Sequence, residues 1–273
     1  MMIEQKTPYK LSGIIIVLMI IISAGGILID NLYRDNPFVS AVWRGNDYVT
    51  LIIAVPIFIF SLLIAKRGDL RGLLVWFSML WYTFYNYFFY LFGAAFNAFF
   101  LLYVALVTLS LFALISGLLH LDITRIKERF SPEMPVKWIS GYMLFVAAGL
   151  SVVYIMQSLN FIVNGQIPEI VELTAHPTSV VFAIDFPFLI APFVLTALWL
   201  RKRHPWGYAL AVILNVKGAI YTLVLTVGSY SAGATAEMPL WIFLTIACII
   251  VSVYMLTNLT GKSANNTYDV NQK

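Results

Sequence analysis

Residues 51–67 read LIIAVPIFIFSLLIAKR. With Tyr48, Val49 and Thr50 ahead of it, the stretch runs eighteen residues without a charge before Lys66 and Arg67 close it. A bilayer core of about 30 Å takes about 20 such residues as a helix. The same pattern recurs along the chain. Apolar segments cover roughly 11–30, 48–65, 70–91, 97–119, 138–163, 179–200, 206–228 and 238–259. Every backbone polar group in lipid must be satisfied within the protein, so spans are helices or closed barrels. These runs are too long and too evenly apolar for the short alternating strands of a barrel. The sequence therefore predicts an all-α, polytopic integral membrane bundle of eight transmembrane helices.

Composition agrees. Of 273 residues, 61% are apolar and 11% charged, and the mean hydropathy is +0.87. Soluble domains carry about 45–50% apolar and about 25% charged residues, so a water-soluble globule is excluded. Disorder is excluded on the same grounds. The lone Cys248 permits no intrachain disulfide. The net charge of +4 raises a nucleic-acid partner, but the basic residues lie in short clusters between apolar runs. The partner they fit is the lipid bilayer. The sequence holds no Walker-type glycine loop, no G-x-S-x-G elbow and no H-E-x-x-H helix. ATP-driven transport by this chain alone is excluded, as is haem ligation by paired spanning histidines. The residues identify no cofactor, no metal site and no catalytic set.

Basic residues orient the bundle. With the N-terminus inside, fourteen of the seventeen Lys and Arg fall on the cytoplasmic side and only Arg34 and Arg44 fall outside. The expected external loops, at about 31–47 and 164–178 and before the last span, carry Asp30, Asp35, Asp47, Glu169, Glu172 and Glu237. Both termini are expected in the cytoplasm, in the plasma membrane of a prokaryote. The first apolar stretch, Leu11 to Ile29, exceeds the 7–15 residues usual in a cleaved signal and reads as a span.

The halves share a layout. A shift of 136 positions, half the chain's length, places Pro56 on Pro192, Leu62 on Leu198, Lys66 on Lys202 and Arg67 on Arg203 without a gap. The expected organisation is a first four-span half over 1–120, a linker over 121–137, a second half over 138–260 and a tail over 261–273. The halves would be parallel repeats about an axis along the membrane normal, as in some transporters. Chance recurrence of a proline before a basic stop signal explains the same matches.

Two ionisable residues fall within spans. Each costs about 2.5–3.5 kcal/mol on insertion scales and is a functional candidate by default. Lys217 lies mid-span; Asp185 lies about six residues below the external end of the preceding span. A lysine stem reaching outward covers most of the difference in depth, so the two are expected to pair, directly or through one water. A pair that only fixes helix packing is the alternative. Tyr82 and Asn86 in the third span and Thr222 in the seventh add polar groups in the external half. So do Gln157, Asn160 and Asn164 in the fifth. These groups suggest a polar cavity open to the outside, although amides and hydroxyls also simply join helices. Pro187 and Pro192 each remove a helix hydrogen bond from the sixth span, as in the broken helices of transporter sites or in an ordinary kink. Fifteen of the twenty-eight residues from Trp76 to Tyr103 are aromatic. They read as packing with an interfacial belt, or as a box for a flat or quaternary-ammonium ligand. His176, Glu172 and Glu169 are a weak metal pattern in an external loop.

The function expected is binding or translocation of a small solute through a site made by Asp185 and Lys217 and lined by Asn86, Tyr82 and Thr222. Asp185 is then also a candidate for proton coupling. A sensor or assembly factor without turnover, and an enzyme acting on a lipid or isoprenoid with Asp185 as acid or base, are the other classes.

Overall fold

The computed structural model describes residues 6–259. The predicted tail over 261–273, with Lys262 and Lys273, lies outside the described residues. The elements are α1 (Lys6–Leu28), α2 (Pro37–Lys66), α3 (Leu70–Gly93), α4 (Phe100–Leu119), a short α5 (Ile123–Glu128), α6 (Val136–Asn164), a short α7 (Glu169–Thr174), α8 (Val180–Arg201), α9 (Pro205–Ser231) and α10 (Met238–Thr257). Among the described residues the one β feature is an isolated bridge between Phe130 and Leu259. The protein is an all-α membrane bundle, and seven of its helices are long and apolar enough to cross a bilayer. The stretch expected as the eighth span, α3, is a 24-residue helix but is not among the seven.

Local sequence explains the starts and stops. Asn36 accepts the Val39 amide at 2.9 Å, ahead of Pro37 at the first helical position. A cap followed by proline is a standard helix start. Asp69 caps α3 by accepting the Gly72 amide at 2.8 Å. Ser179 caps α8 in the same way, accepting from Phe182 at 3.2 Å. Gly165 ends α6 at φ 70°, a left-handed conformation that glycine adopts without strain.

The start of α2 overturns the expected external loop over 31–47. Residues from Pro37 onward are helical, and α2 runs thirty residues to Lys66. Arg44, Asn46 and Asp47 suggested a loop by their polarity. In the structure Asp47 is buried at 1% exposure, its carboxylate accepting the hydroxyls of Tyr33 and Tyr90. The loop expected over 164–178 likewise contains the one-turn-and-a-half α7.

Helices α2 and α8 stay continuous through their central prolines. Each widens into a single π turn, over Thr50–Ala54 ahead of Pro56 in α2 and over Phe186–Ile190, which contains Pro187 and precedes Pro192, in α8. The Val55 amide reaches back to the Thr50 carbonyl and the Ala191 amide to Phe186, one residue further than in an α-helix. The Phe188 carbonyl, four residues before Pro192, receives the Trp81 indole N–H at 3.4 Å. The two π turns lie 136 residues apart.

Helices α3 and α9 occupy the middle. They pack on each other; α9 also packs on α2, α8 and α10, and α3 on α2, α4 and α8. Hydrophobic burial does not drive association between helices within lipid; close packing and hydrogen bonds do. The crossing of α2 and α9 shows the packing. A Cβ on Gly45 would stand 2.8 Å from the Gly228 Cα, so the two backbones touch. Rings fill the rest: Tyr87, Tyr90, Tyr103 and Trp43 form one cluster, and Phe84, Phe88 and Phe188 another. Beyond Tyr154 the outer turns of α6 stand largely exposed, Asn164 included.

Candidate functional site

Helix α8 places Asp185 just before its π turn. The carboxylate is 6% exposed. Its Oδ1 accepts the hydroxyl of Tyr85 from α3, and its Oδ2 accepts the hydroxyl of Tyr154 from α6 at 2.6 Å. Tyr154 also stacks on Phe182, with centroids 4.2 Å apart, which fixes its ring against α8. Two hydroxyl donors on a carboxylate are charge-assisted bonds, stronger than neutral ones.

Lys217 enters from α9 and is 1% exposed. Its Nζ lies 3.1 Å from the centroid of the Tyr85 ring and 5.2 Å from that of Tyr221. The two phenol rings meet edge to face at 4.7 Å. A cation over a ring face is attracted by the ring quadrupole, by about 2 kcal/mol when desolvated. Asp185 and Lys217 therefore do not form the expected direct pair. Tyr85 stands between them, its hydroxyl on the acid and its face under the ammonium. The sequence singled out both charged residues but neither Tyr85 nor Tyr154. A shift of 136 does place Tyr85 on Tyr221, the one trace of this arrangement in the chain.

Tyr82 and Asn86 belong to a second network one step around α3. The Thr50 hydroxyl and the Tyr82 hydroxyl are 2.7 Å apart, and Thr50 donates to Asn46 Oδ1 at 3.0 Å. Asn46 Nδ2 donates to Asn86 Oδ1 at 2.7 Å. The Asn86 amide nitrogen is buried without a partner. Thr222 points elsewhere: its oxygen accepts from Thr245 of α10 at 2.8 Å and donates to Gly218 within its own helix. So Asp185 and Lys217 are held together through Tyr85, Tyr82 and Asn86 lie beside them along α3, and Thr222 faces α10.

His176 donates Nε2 to the Gly93 carbonyl at the end of α3, at 2.6 Å. Among the described residues no three His, Cys, Asp or Glu side chains converge as a metal site. Asp35, outside the spans, accepts the Ala95 amide at 2.9 Å. Burial pushes its carboxyl above the usual range, against the opposing pull of that amide and of His176.

No family model, curated protein or solved structure matches this chain. Function is therefore argued from the side chains alone.

Proposed function

We propose that this multi-pass membrane protein binds or translocates a small solute through a polar cavity opening on the external side. Asp185 and Lys217 are its charged contacts, with Asn86 and Tyr82 as lining. In this reading α3 is an eighth span, whose buried position relieves it of any need to be apolar. The basic hairpins face the cytoplasm of a prokaryotic cell and both termini lie inside.

One observation carries the reading: two buried opposite charges are linked through a phenol rather than joined. Burying an ion at membrane depth is costly, and an ion pair kept only for packing recovers that cost by direct contact. Here the ammonium contacts ring faces and the acid holds two hydroxyls, an arrangement that leaves Lys217 donors for an incoming acceptor. The unpartnered Asn86 N–H adds a further donor nearby. An anionic or zwitterionic solute suits that set.

The test uses purified protein and a panel of small amino acids, dicarboxylates and quaternary amines. At least one of them should raise the Tm of the wild type and enter proteoliposomes, and Asp185→Asn and Lys217→Met should each lose both effects. The reading fails if no member of the panel distinguishes wild type from either variant. It fails equally if Lys217→Met is strongly destabilised and the Asp185→Asn, Lys217→Met double variant recovers fully, since the pair would then serve packing alone.

A further inference from the structure

A second buried acid lies on the other side of α3. Asp47, on α2, is 1% exposed. Its Oδ2 accepts the hydroxyl of Tyr33, from the connection after α1, and its Oδ1 accepts the Tyr90 hydroxyl of α3 at 3.0 Å. Gly26 of α1 leaves room for this carboxylate; a Cβ there would overlap both Asp47 and Tyr33.

Two further phenols belong to the same cluster of rings. Tyr87 and Tyr103 are 0% and 1% exposed and both face Asp47 electrostatically. Their rings stack against each other and against Tyr90, with centroids 5.3 Å to 6.5 Å apart. Tyr87 lies near Ser23, and Tyr103 near Tyr33 and Asn97. Yet the hydroxyls of Tyr87, Tyr103 and Ser23 are all buried without a hydrogen-bond partner. Buried polar atoms are normally satisfied, and each exception calls for an explanation such as an ion. The groups facing Asp47 are the hydroxyls of Tyr33 in the connection, Tyr82, Tyr87 and Tyr90 on α3 and Tyr103 on α4, with Asp35 beyond Tyr103 and Ser23 of α1 behind Tyr87. Among the described residues no Lys or Arg makes an ion pair with Asp47.

We propose that Asp47, with the hydroxyl oxygens of Tyr33, Tyr87, Tyr90 and Tyr103, is a monovalent-cation site that takes a sodium ion or a proton. A hard cation of this kind prefers oxygen ligands. Either cation neutralises the buried carboxylate, and a sodium ion also gives the unpartnered Tyr87 and Tyr103 hydroxyl oxygens something to bind. The site is independent of the solute reading, because it needs neither Asp185 nor Lys217 and its test uses no solute.

The experiment measures the Tm of the purified full chain in choline chloride as NaCl is added, and records the carboxylic-acid C=O stretch by infrared difference spectroscopy as pH is varied. A sodium site gives a Tm that climbs with Na⁺ and then levels off. Asp47→Asn abolishes the climb, and the Tyr87→Phe, Tyr103→Phe variant, which leaves the acid in place, needs about tenfold more Na⁺ for half the effect. A proton site gives no response to Na⁺ but a titrating C=O band that Asp47→Asn deletes. If Na⁺ has no effect and no band belongs to Asp47, the acid is ionised without a cation and the proposal is wrong. Should Asp47→Asn not fold, the tyrosine variant decides the sodium arm, and the wild-type band, assigned by its shift in that same variant, decides the proton arm.

Discussion

Tyr85 serves two charges at once, its hydroxyl bonded to Asp185 and its ring beneath Lys217. Aromatic residues offer this because an apolar body carries a polar tip. Both ions could be picked from the sequence because charges within spans are rare. Tyr85 could not be, because it is one of fifteen tyrosines and its role exists only once three helices meet. Asp47 was hidden for the opposite reason: beside Arg44 and Asn46 it resembles a loop residue. Outside the spans, Asp35 permits a sharper statement. Burial raises its carboxyl in the folded chain. The folded state therefore holds a proton that the unfolded state releases, and stability falls as pH climbs from the ordinary carboxylate range through the raised value. Asparagine keeps an acceptor for the Ala95 amide but carries no charge. Asp35→Asn should thus be more stable than the wild type at neutral pH and lose that advantage in acid. Asp35 is only partly buried, so solvent screening limits the gain to roughly 0.5 kcal/mol. Unfolding midpoints measured across that pH range check it, and an advantage independent of pH would contradict it.

At the scale of elements, the apolar runs located six of the seven spans to within about five residues because lipid-facing helices must be uniformly apolar. The exceptions follow the same physics. Helix α3 carries Trp, Tyr, Thr and Asn and is almost wholly enclosed by its neighbours, so the rule written for lipid contact does not apply to it. Helix α2 begins eleven residues earlier than its apolar run, at a cap that polarity disguised. The prolines mark π turns rather than breaks, since shifting the ladder by one residue accommodates the ring within a continuous helix. The crossing of α2 and α9 depends on Gly45 more than on any large side chain. Gly45→Ala puts a methyl against the Gly228 backbone, which a rotamer change cannot relieve. It should cost about 1–3 kcal/mol as overpacking, read as a lower midpoint in a denaturant titration of purified protein. A midpoint equal to the wild type would mean that the helices separate there without penalty.

Across the whole molecule, matching features sit on the two sides of α3 and α9. Helices α2 and α8 each send an acid to a tyrosine of α3, and each carries a π turn, the two turns 136 positions apart. Few residue identities accompany that spacing in the sequence. At the basic end the hairpins hold the chain together. Arg71, after α2, donates to the Leu259 carbonyl at 2.8 Å, and Arg203, after α8, donates to the Pro132 carbonyl of the linker at 2.9 Å. Arg71→Met should leave the orientation of reporter fusions unchanged, since other basic residues remain on that side. It should still cost about 1–3 kcal/mol by stranding a carbonyl, seen as a lower unfolding midpoint; a flipped reporter would mean that Arg71 matters mainly for orientation. Leu259 is also translated 188 residues after Arg71. This clasp can therefore shut during synthesis only after α10 has left the ribosome.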